Sequence, residues 1–206
     1  MLVLVRHGQS ESNAAGKLSG RQDPPLTDIG ACQAELVGRL LARERAQSQS
    51  PRAVRLVASP LRRARATAEL IGFALGESQV TVEEALVELD YGRLEGLRPS
   101  QVPAETWAAW RADASWRPEG GESLAELHER VSSWCEEIAE EAASTDVVAV
   151  SHVSPIKAAA AWAIGAGPEL SWRLSLGVAA ITRISTSPRL LQSFGETAHL
   201  SRESRS

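Results

Sequence analysis

The 206-residue chain is 43% hydrophobic and 23% charged, the balance of a soluble globular domain with its own core. A formal net charge of −4 supplies no overall basic field, so neither nucleic acid nor an acidic membrane is expected as a partner. The apolar run at residues 2–5 is too short for a signal-peptide core or a membrane span, which points to a cytoplasmic protein.

Leu2-Val3-Leu4-Val5 reads as a buried strand that stops at Arg6-His7-Gly8, with the glycine allowing close backbone approach. Glu11 to Pro25 reads as a polar loop of about 15 residues, a length that is usually functional or disordered. Thr27 caps a helix running to about Ala46, with Ile29, Cys32, Leu36, Val37, Leu40 and Leu41 on its apolar face. Val54 to Ala58 is a second strand, and Ser59-Pro60 predicts an N-cap followed by proline in the first turn of a helix that stops at Gly76. Val80 to Val82 is a short third strand leading into Leu86-Val87-Glu88-Leu89-Asp90-Tyr91-Gly92.

Residues 99–122 differ in character, with Trp107, Trp110, Trp116, several prolines and Gly120-Gly121 around a short helix near Ala104–Arg111. Two readings stay open: satellite core beneath a long loop, or a lid that sets substrate specificity. Ser123-Leu124-Ala125-Glu126 is a capping box for a long helix to about Ala143, whose inward face holds Leu124, Leu127, Val131, Trp134, Cys135 and Ile138. Val147 to Val150 is a further apolar strand ending at Ser151-His152, with Pro155 opening a helix from Ile156. Val178–Ile184 and Arg189–Phe194 read as late strands forming a hairpin, and residues 195–206 as a flexible tail. Cys32 and Cys135 both fall in helical patterns and are read as small buried thiols; a disulfide is not expected, and their number and spacing exclude a zinc site. Strands alternating with helices predict one α/β domain over 1–206, a three-layer α/β/α sandwich on a mostly parallel sheet.

Ligands in open α/β sheets bind beyond the carboxyl ends of the strands. Here those ends carry Arg6 and His7, Ser59 with Arg62 and Arg63 beyond it, Glu88, and His152. All but two of the 22 basic residues are arginine, so only arginines at such special positions carry functional meaning. Two histidines, two or three arginines and a carboxylate suit phosphoryl transfer without metal or cofactor. A neutral imidazole attacks phosphorus, guanidiniums match the phosphoryl oxygens, and a carboxylic acid protonates the leaving oxygen.

Four stretches in order carry a resemblance: Arg6-His7-Gly8 with Asn13 and Ser19-Gly20; Ser59-Pro60-Leu61-Arg62-Arg63-Ala64; Glu88 to Gly96; and Val150-Ser151-His152. Together they resemble the histidine phosphatase superfamily, branch 1, and imply a phosphoglycerate mutase-like fold. The resemblance implies His7 as the nucleophile that becomes phosphohistidine and Glu88 as proton donor and later acceptor. Arg6, Arg63 and His152 would line the phosphate pocket, with Asn13, Ser19, Gly20 and the backbone at Val153 assisting. It places Arg62 at the surface, gives Glu95 a structural place, and assigns no role to His128 or His199. His152-Val153-Ser154-Pro155-Ile156-Lys157 resembles α-ribazole phosphatase-like enzymes, with the free amides near Val153 and Ser154 facing an anion.

The expected activity is that of a phosphomonoester phosphatase of the histidine acid phosphatase type, acting on a small phosphorylated metabolite such as α-ribazole phosphate, a phosphoglycerate derivative or a sugar phosphate. The alternative is a 2,3-bisphosphoglycerate-dependent mutase, which needs further cations at the far side of the pocket. Arg98, Arg111 and Arg117 come after Gly96 but are interleaved with tryptophans and acids, which favours the phosphatase. A phospho-ligand binder without catalysis is the reading from another class, disfavoured because nucleophile and acid are both present. Oligomeric state is left open, a homodimer included.

Overall fold

The computed structural model describes residues 1–49 and 51–200. Among these, strands β1 (Leu2–Arg6), β2 (Val54–Ala58), β3 (Val80–Val82), β4 (Asp146–Ser151), β5 (Ile181–Thr186) and β6 (Arg189–Glu196) form one sheet in the order β3-β2-β4-β1-β5-β6. β3, β2, β4 and β1 run parallel, and β5 and β6 join antiparallel beside β1. Successive β1 side chains enter opposite cores: Leu2 and Leu4 one, Val3 and Val5 the other. A strand covered on both faces must be apolar throughout, which is why it carries no polar alternation before Arg6.

Helices α2 (Asp28–Gln47) and α3 (Arg62–Leu75) cover one face, contributing Val37, Leu41, Ala64, Ala68 and Ile71. Helices α4 (Ala104–Ala112), α5 (Leu124–Ser144) and α6 (Val153–Ile164) cover the other, through Trp110, Leu127, Val131, Trp134, Ile138, Ile156 and Ala159. The three layers match the expected α/β/α sandwich, and all six residues predicted for the inward face of α5 are buried. Trp110 is 1% exposed inside the larger core, with Trp107 and Trp116 packed against it, so these rings are core as well as surface cover.

Several local expectations are corrected. Glu11–Ala14 is a short helix, α1, in place of the expected loop, because Ser10 and Asn13 close a capping box. The buried face of α2 is Gly30, Gln33, Ala34, Val37, Gly38 and Leu41, leaving Ile29 40% exposed and Cys32 at the surface. The helix turns its small residues inward because the backbone comes very close: a Cβ on Gly30 would lie 2.0 Å from the Gln9 carbonyl oxygen. α3 starts at Arg62 rather than at Ser59-Pro60, and α6 starts at Val153 with Pro155 inside its first turn, where the missing amide proton costs nothing. β5 begins at Ile181, after a turn in which Ala179 is left-handed. From Gly195 the chain is not a loose tail as far as Leu200: β6 runs to Glu196, and Leu200 is 4% exposed in the α2/α3-side core. Residues 201–206 lie outside the described residues. Among the described residues, both cysteines are free thiols, and no helix is long and apolar enough to cross a membrane.

Candidate active site

β1 ends between β4 and β5, and backbone hydrogen bonds fix the next residue: the His7 amide donates to Ser151 O at 3.0 Å, and the Ala179 amide donates to His7 O at 3.1 Å. A Cβ on Gly8 would stand 2.2 Å from Gly30 O, so only glycine lets the chain turn against α2 here. His7 is 3% exposed. Its Nδ1 lies 2.6 Å from the Gly8 carbonyl oxygen, which can only accept, so the ring proton sits on Nδ1. Arg63 Nε donates to His7 Nε2 at 3.3 Å, so that nitrogen is the unprotonated acceptor and its one in-plane lone pair meets Arg63. Burial, then the charges of Arg63 and Arg6, hold the His7 pKa well below its usual 6.5.

Arg63 comes from the first turn of α3 and is 1% exposed. Its Nη1 donates to Gln22 O at 2.7 Å, and its Nη2 to Gly20 O at 3.0 Å and Ser19 O at 3.3 Å. Ser19 and Gly20 therefore use their carbonyls to hold the guanidinium. The loop they sit on is pinned by Glu95, whose carboxylate accepts the Arg21 and Gln22 amides. Gly20 is obligatory there, since a Cβ would lie 2.2 Å from Leu89 O. Arg62 is exposed, as expected.

His152 comes directly after β4 and packs edge-on against His7, with ring centroids 5.0 Å apart. Its Nε2 is 2.7 Å from Ser59 Oγ, so Ser59 orients this imidazole instead of capping α3. Ser59 Oγ also accepts the Leu61 amide at 3.4 Å and keeps a second lone pair, so the hydroxyl serves His152 Nε2 in either tautomer. The Nδ1 of His152 is buried without a partner, and so is Arg6 Nε, while Arg6 Nη1 donates to Leu176 O at 2.6 Å. Orphaned buried polar atoms beside an unprotonated imidazole nitrogen are places for a ligand's polar groups. Burial and the neighbouring His7, Arg63 and Arg6 also push the His152 pKa well down.

Glu88 is 3% exposed, and its Oε1 accepts the Leu89 amide at 2.8 Å and the Ser154 amide at 3.2 Å. The Ser154 amide thus serves the carboxylate, not an incoming anion as the sequence suggested. Its segment is clamped from behind by Arg130 on α5, which donates to Ala85 O at 2.6 Å and Val87 O at 2.9 Å. The same guanidinium pairs with Glu122 at 2.6 and 2.9 Å.

A cavity of about 110 Å³ is lined by Arg6, His7, Asn13, Ser19, Arg63, Glu88 and Val153, with Lys17, Leu18 and Tyr91. His152 stands behind His7 and Gly20 behind Arg63. Asn13 lines the cavity while its Oδ1 accepts the Ser10 amide at 3.1 Å. Sequence reasoning gives no role to Lys17, Tyr91 or Arg130. The signal for Tyr91 was its place inside the Glu88–Gly96 stretch, and for Lys17 that it is one of only two lysines. Arg130 gave none, being one arginine among many on a polar helix flank.

The family model for the histidine phosphatase superfamily (branch 1) matches residues 2–192. A bifunctional protein of Mycobacterium tuberculosis is 35% identical over 184 residues, 88% of this chain and 49% of its own length. The chain thus spans about half the length of the first curated relatives it matches. Phosphoserine phosphatase 1 of Hydrogenobacter thermophilus is 34% identical over 161 residues, 76% of this chain and 72% of its own. Proteins named phosphoglycerate mutase also match. A solved structure of mycobacterial glucosyl-3-phosphoglycerate phosphatase with VO3 superposes with a TM-score of 0.81 at 28% identity, over 95% of this chain and 99% of that one. A neutral buried histidine at the end of the central strand, a loop-held arginine and a clamped carboxylate have this company for a reason: the chain belongs to branch 1 of the histidine phosphatase superfamily.

Proposed function

We propose that the protein is a metal-independent phosphomonoester phosphatase acting on a small phosphorylated metabolite through phosphohistidine at His7. The observation that carries this is the state of His7 at the cavity wall: Nδ1 holds the proton, and the unprotonated Nε2 accepts a long 3.3 Å hydrogen bond from Arg63 Nε that gives way when phosphorus arrives. In the first step Nε2 bonds to phosphorus as the ester P–O bond breaks, and Glu88 gives its proton to the leaving oxygen. In the second, Glu88 takes a proton from water as the water oxygen bonds to phosphorus and the P–N bond breaks, releasing inorganic phosphate. Arg6 and Arg63 bind the equatorial oxygens, with Lys17 at the cavity wall and His152 supporting the pocket against His7. The depressed His7 pKa keeps the nucleophile unprotonated into mildly acidic solution.

The finer assignment to histidine acid phosphatase-type chemistry rests on the same step. Phosphatase is favoured over mutase because the pocket beside the phosphate-sized cavity is walled by aromatic rings and carries one cation, Lys157, where a second phosphate calls for several. The test is to quench turnover of an alkyl phosphate in base, digest, and locate phosphate by mass spectrometry. The expected result is acid-labile phosphate on the His7 peptide, none in His7→Ala, and undiminished turnover in EDTA. Rapid conversion of 3-phosphoglycerate to 2-phosphoglycerate, primed by the bisphosphate, would replace phosphatase with mutase.

A further inference from the structure

Next to the phosphate-sized cavity, and sharing Tyr91 and Val153 with it, lies a second pocket of about 150 Å³. Its walls are aromatic. Trp107 and Trp110 stack at 5.8 Å with a 9° interplanar angle, and Trp172 stands edge-on to both at 6.2 and 5.9 Å. Tyr91 meets Trp110 edge-on at 5.9 Å. These rings are braced without a ligand: Trp107 Nε1 donates to Pro99 O at 3.2 Å, and the Arg111 guanidinium lies 5.9 Å from the Trp107 centroid and 5.3 Å from that of Trp172. A wall ordered in advance spends little of its contact energy on its own immobilisation.

The polar groups of this pocket are few, and one of them, the buried Trp110 Nε1–H, has no partner. The Lys157 ammonium donates to Ser171 O at 2.9 Å, and the Ser154 amide goes to Glu88. A carboxylate entering here would meet one cation that already has Glu88 for a neighbour, and sugar hydroxyls would give up water for few replacements. A flat apolar ring gives up nothing of the kind, and an apolar cavity of about 150 Å³ is known to admit benzene.

Resting on the phosphatase reading above, we propose that this pocket selects phosphomonoesters whose alcohol half carries an uncharged aromatic ring a short distance from the ester oxygen. The partly exposed Trp107 and Trp172 rings receive that ring by edge and face contact, backed by the buried Trp110, while the phosphate occupies the cavity at His7. Residues 99–122, which supply two of the three tryptophans, would then determine which metabolite is taken.

The experiment compares kcat/KM for 2-phenylethyl phosphate and ethyl phosphate, two primary alkyl esters alike at the bond that breaks. The wild-type protein should favour the phenyl ester by on the order of 100-fold, the effect of burying one ring. In Trp172→Ala the ratio of the two constants should fall by about tenfold, and in Trp107→Ala likewise. The ratio is the readout, so partial loss of folded protein cancels. A wild-type ratio near one, a ratio unchanged in both variants, or higher kcat/KM for O-phosphoserine or glucose 6-phosphate than for the phenyl ester would overturn the pocket assignment and leave the phosphatase standing. Hydrolysis of none of the four would remove the phosphatase reading and the pocket assignment with it.

Discussion

Both backbone amides that reach Glu88 donate to its Oε1, from Leu89 at 2.8 Å and Ser154 at 3.2 Å. A glutamine would accept the same two bonds, so Glu88→Gln keeps the local structure and removes only the transferable proton. With alkyl phosphates, kcat/KM, which reports only the steps through transfer to His7, should fall by about 10²–10⁴-fold, the usual worth of a positioned general acid. With p-nitrophenyl phosphate, whose leaving oxygen needs no proton, the loss in kcat/KM should be far smaller, while kcat falls for both through the lost base of the second step. A plot of log kcat/KM against leaving-group pKa measures this, and parallel lines for the two proteins would take the acid role away from Glu88. At this scale Arg6, His7 and His152 were legible because each closes an apolar strand, whereas Glu88, expected at a strand end, follows a 3-10 turn at Glu84–Leu86 well past β3 and was legible only through its motif. Lys17, Tyr91 and the Ser154 amide were not, because their places depend on where a loop folds and where a helix begins. Nothing in a one-dimensional pattern marks an amide as already spoken for.

Between residue and fold stands the clamp on the carboxylate's segment. Ser151 Oγ donates to Leu86 O at 2.7 Å on one side, and Arg130 holds Ala85 O and Val87 O on the other. Arg130 is a positioning residue, since it reaches only backbone and Glu122. Arg130→Gln should lower the melting temperature by about 5 °C, from roughly 2 kcal/mol of charge-assisted hydrogen bonds in a domain of this size. It should also lower kcat at least about tenfold with little change in KM, and it should reproduce the leaving-group pattern of Glu88→Gln. Loss of stability with an unchanged leaving-group pattern would reduce Arg130 to scaffolding. The element scale is also where periodicity misled: its apolar spacing points Ile29 and Cys32 inward on α2, but Gly30, Ala34 and Gly38 take those places. Hydrophobicity alone ranks glycine low for burial, whereas close helix-to-backbone contact demands it. For α5, which packs with large side chains, all six residues the same periodicity pointed inward are buried, and only the small Ala142 was missed.

Taken as a whole, the molecule buries two uncharged histidines among arginines. His7 and His152 both have folded pKa values well below 6.5, chiefly through burial and then through neighbouring positive charge. Unfolded, each takes up a proton near 6.5. Below that pH the unfolded chain binds more protons than the folded one, so the stability from keeping these rings neutral is complete above 6.5 and is lost as pH falls. The slope reaches about 1.4 kcal/mol per pH unit for each ring. Melting temperatures should therefore drop between about pH 7.5 and about pH 5.5, and the drop should be shallower in His7→Ala. A flat profile over that range would mean that the imidazoles are protonated in the folded state.

The layered architecture was legible because strand and helix patterns alternate along the chain, but the sheet order was not. β1 pairs residue by residue with β4, Leu2 opposite Val147, and with β5, Leu2 opposite Ile184. Its hydrogen-bonding partners are thus synthesised long after β1 itself. During translation β1 has no sheet to join until β4 and then β5 have left the ribosome, and contacts so distant in sequence close slowly. A nascent chain stopped before Ile181 carries the histidine but not the β5 strand that completes its frame. The candidate nucleophile is synthesised well before the strands that set it in place.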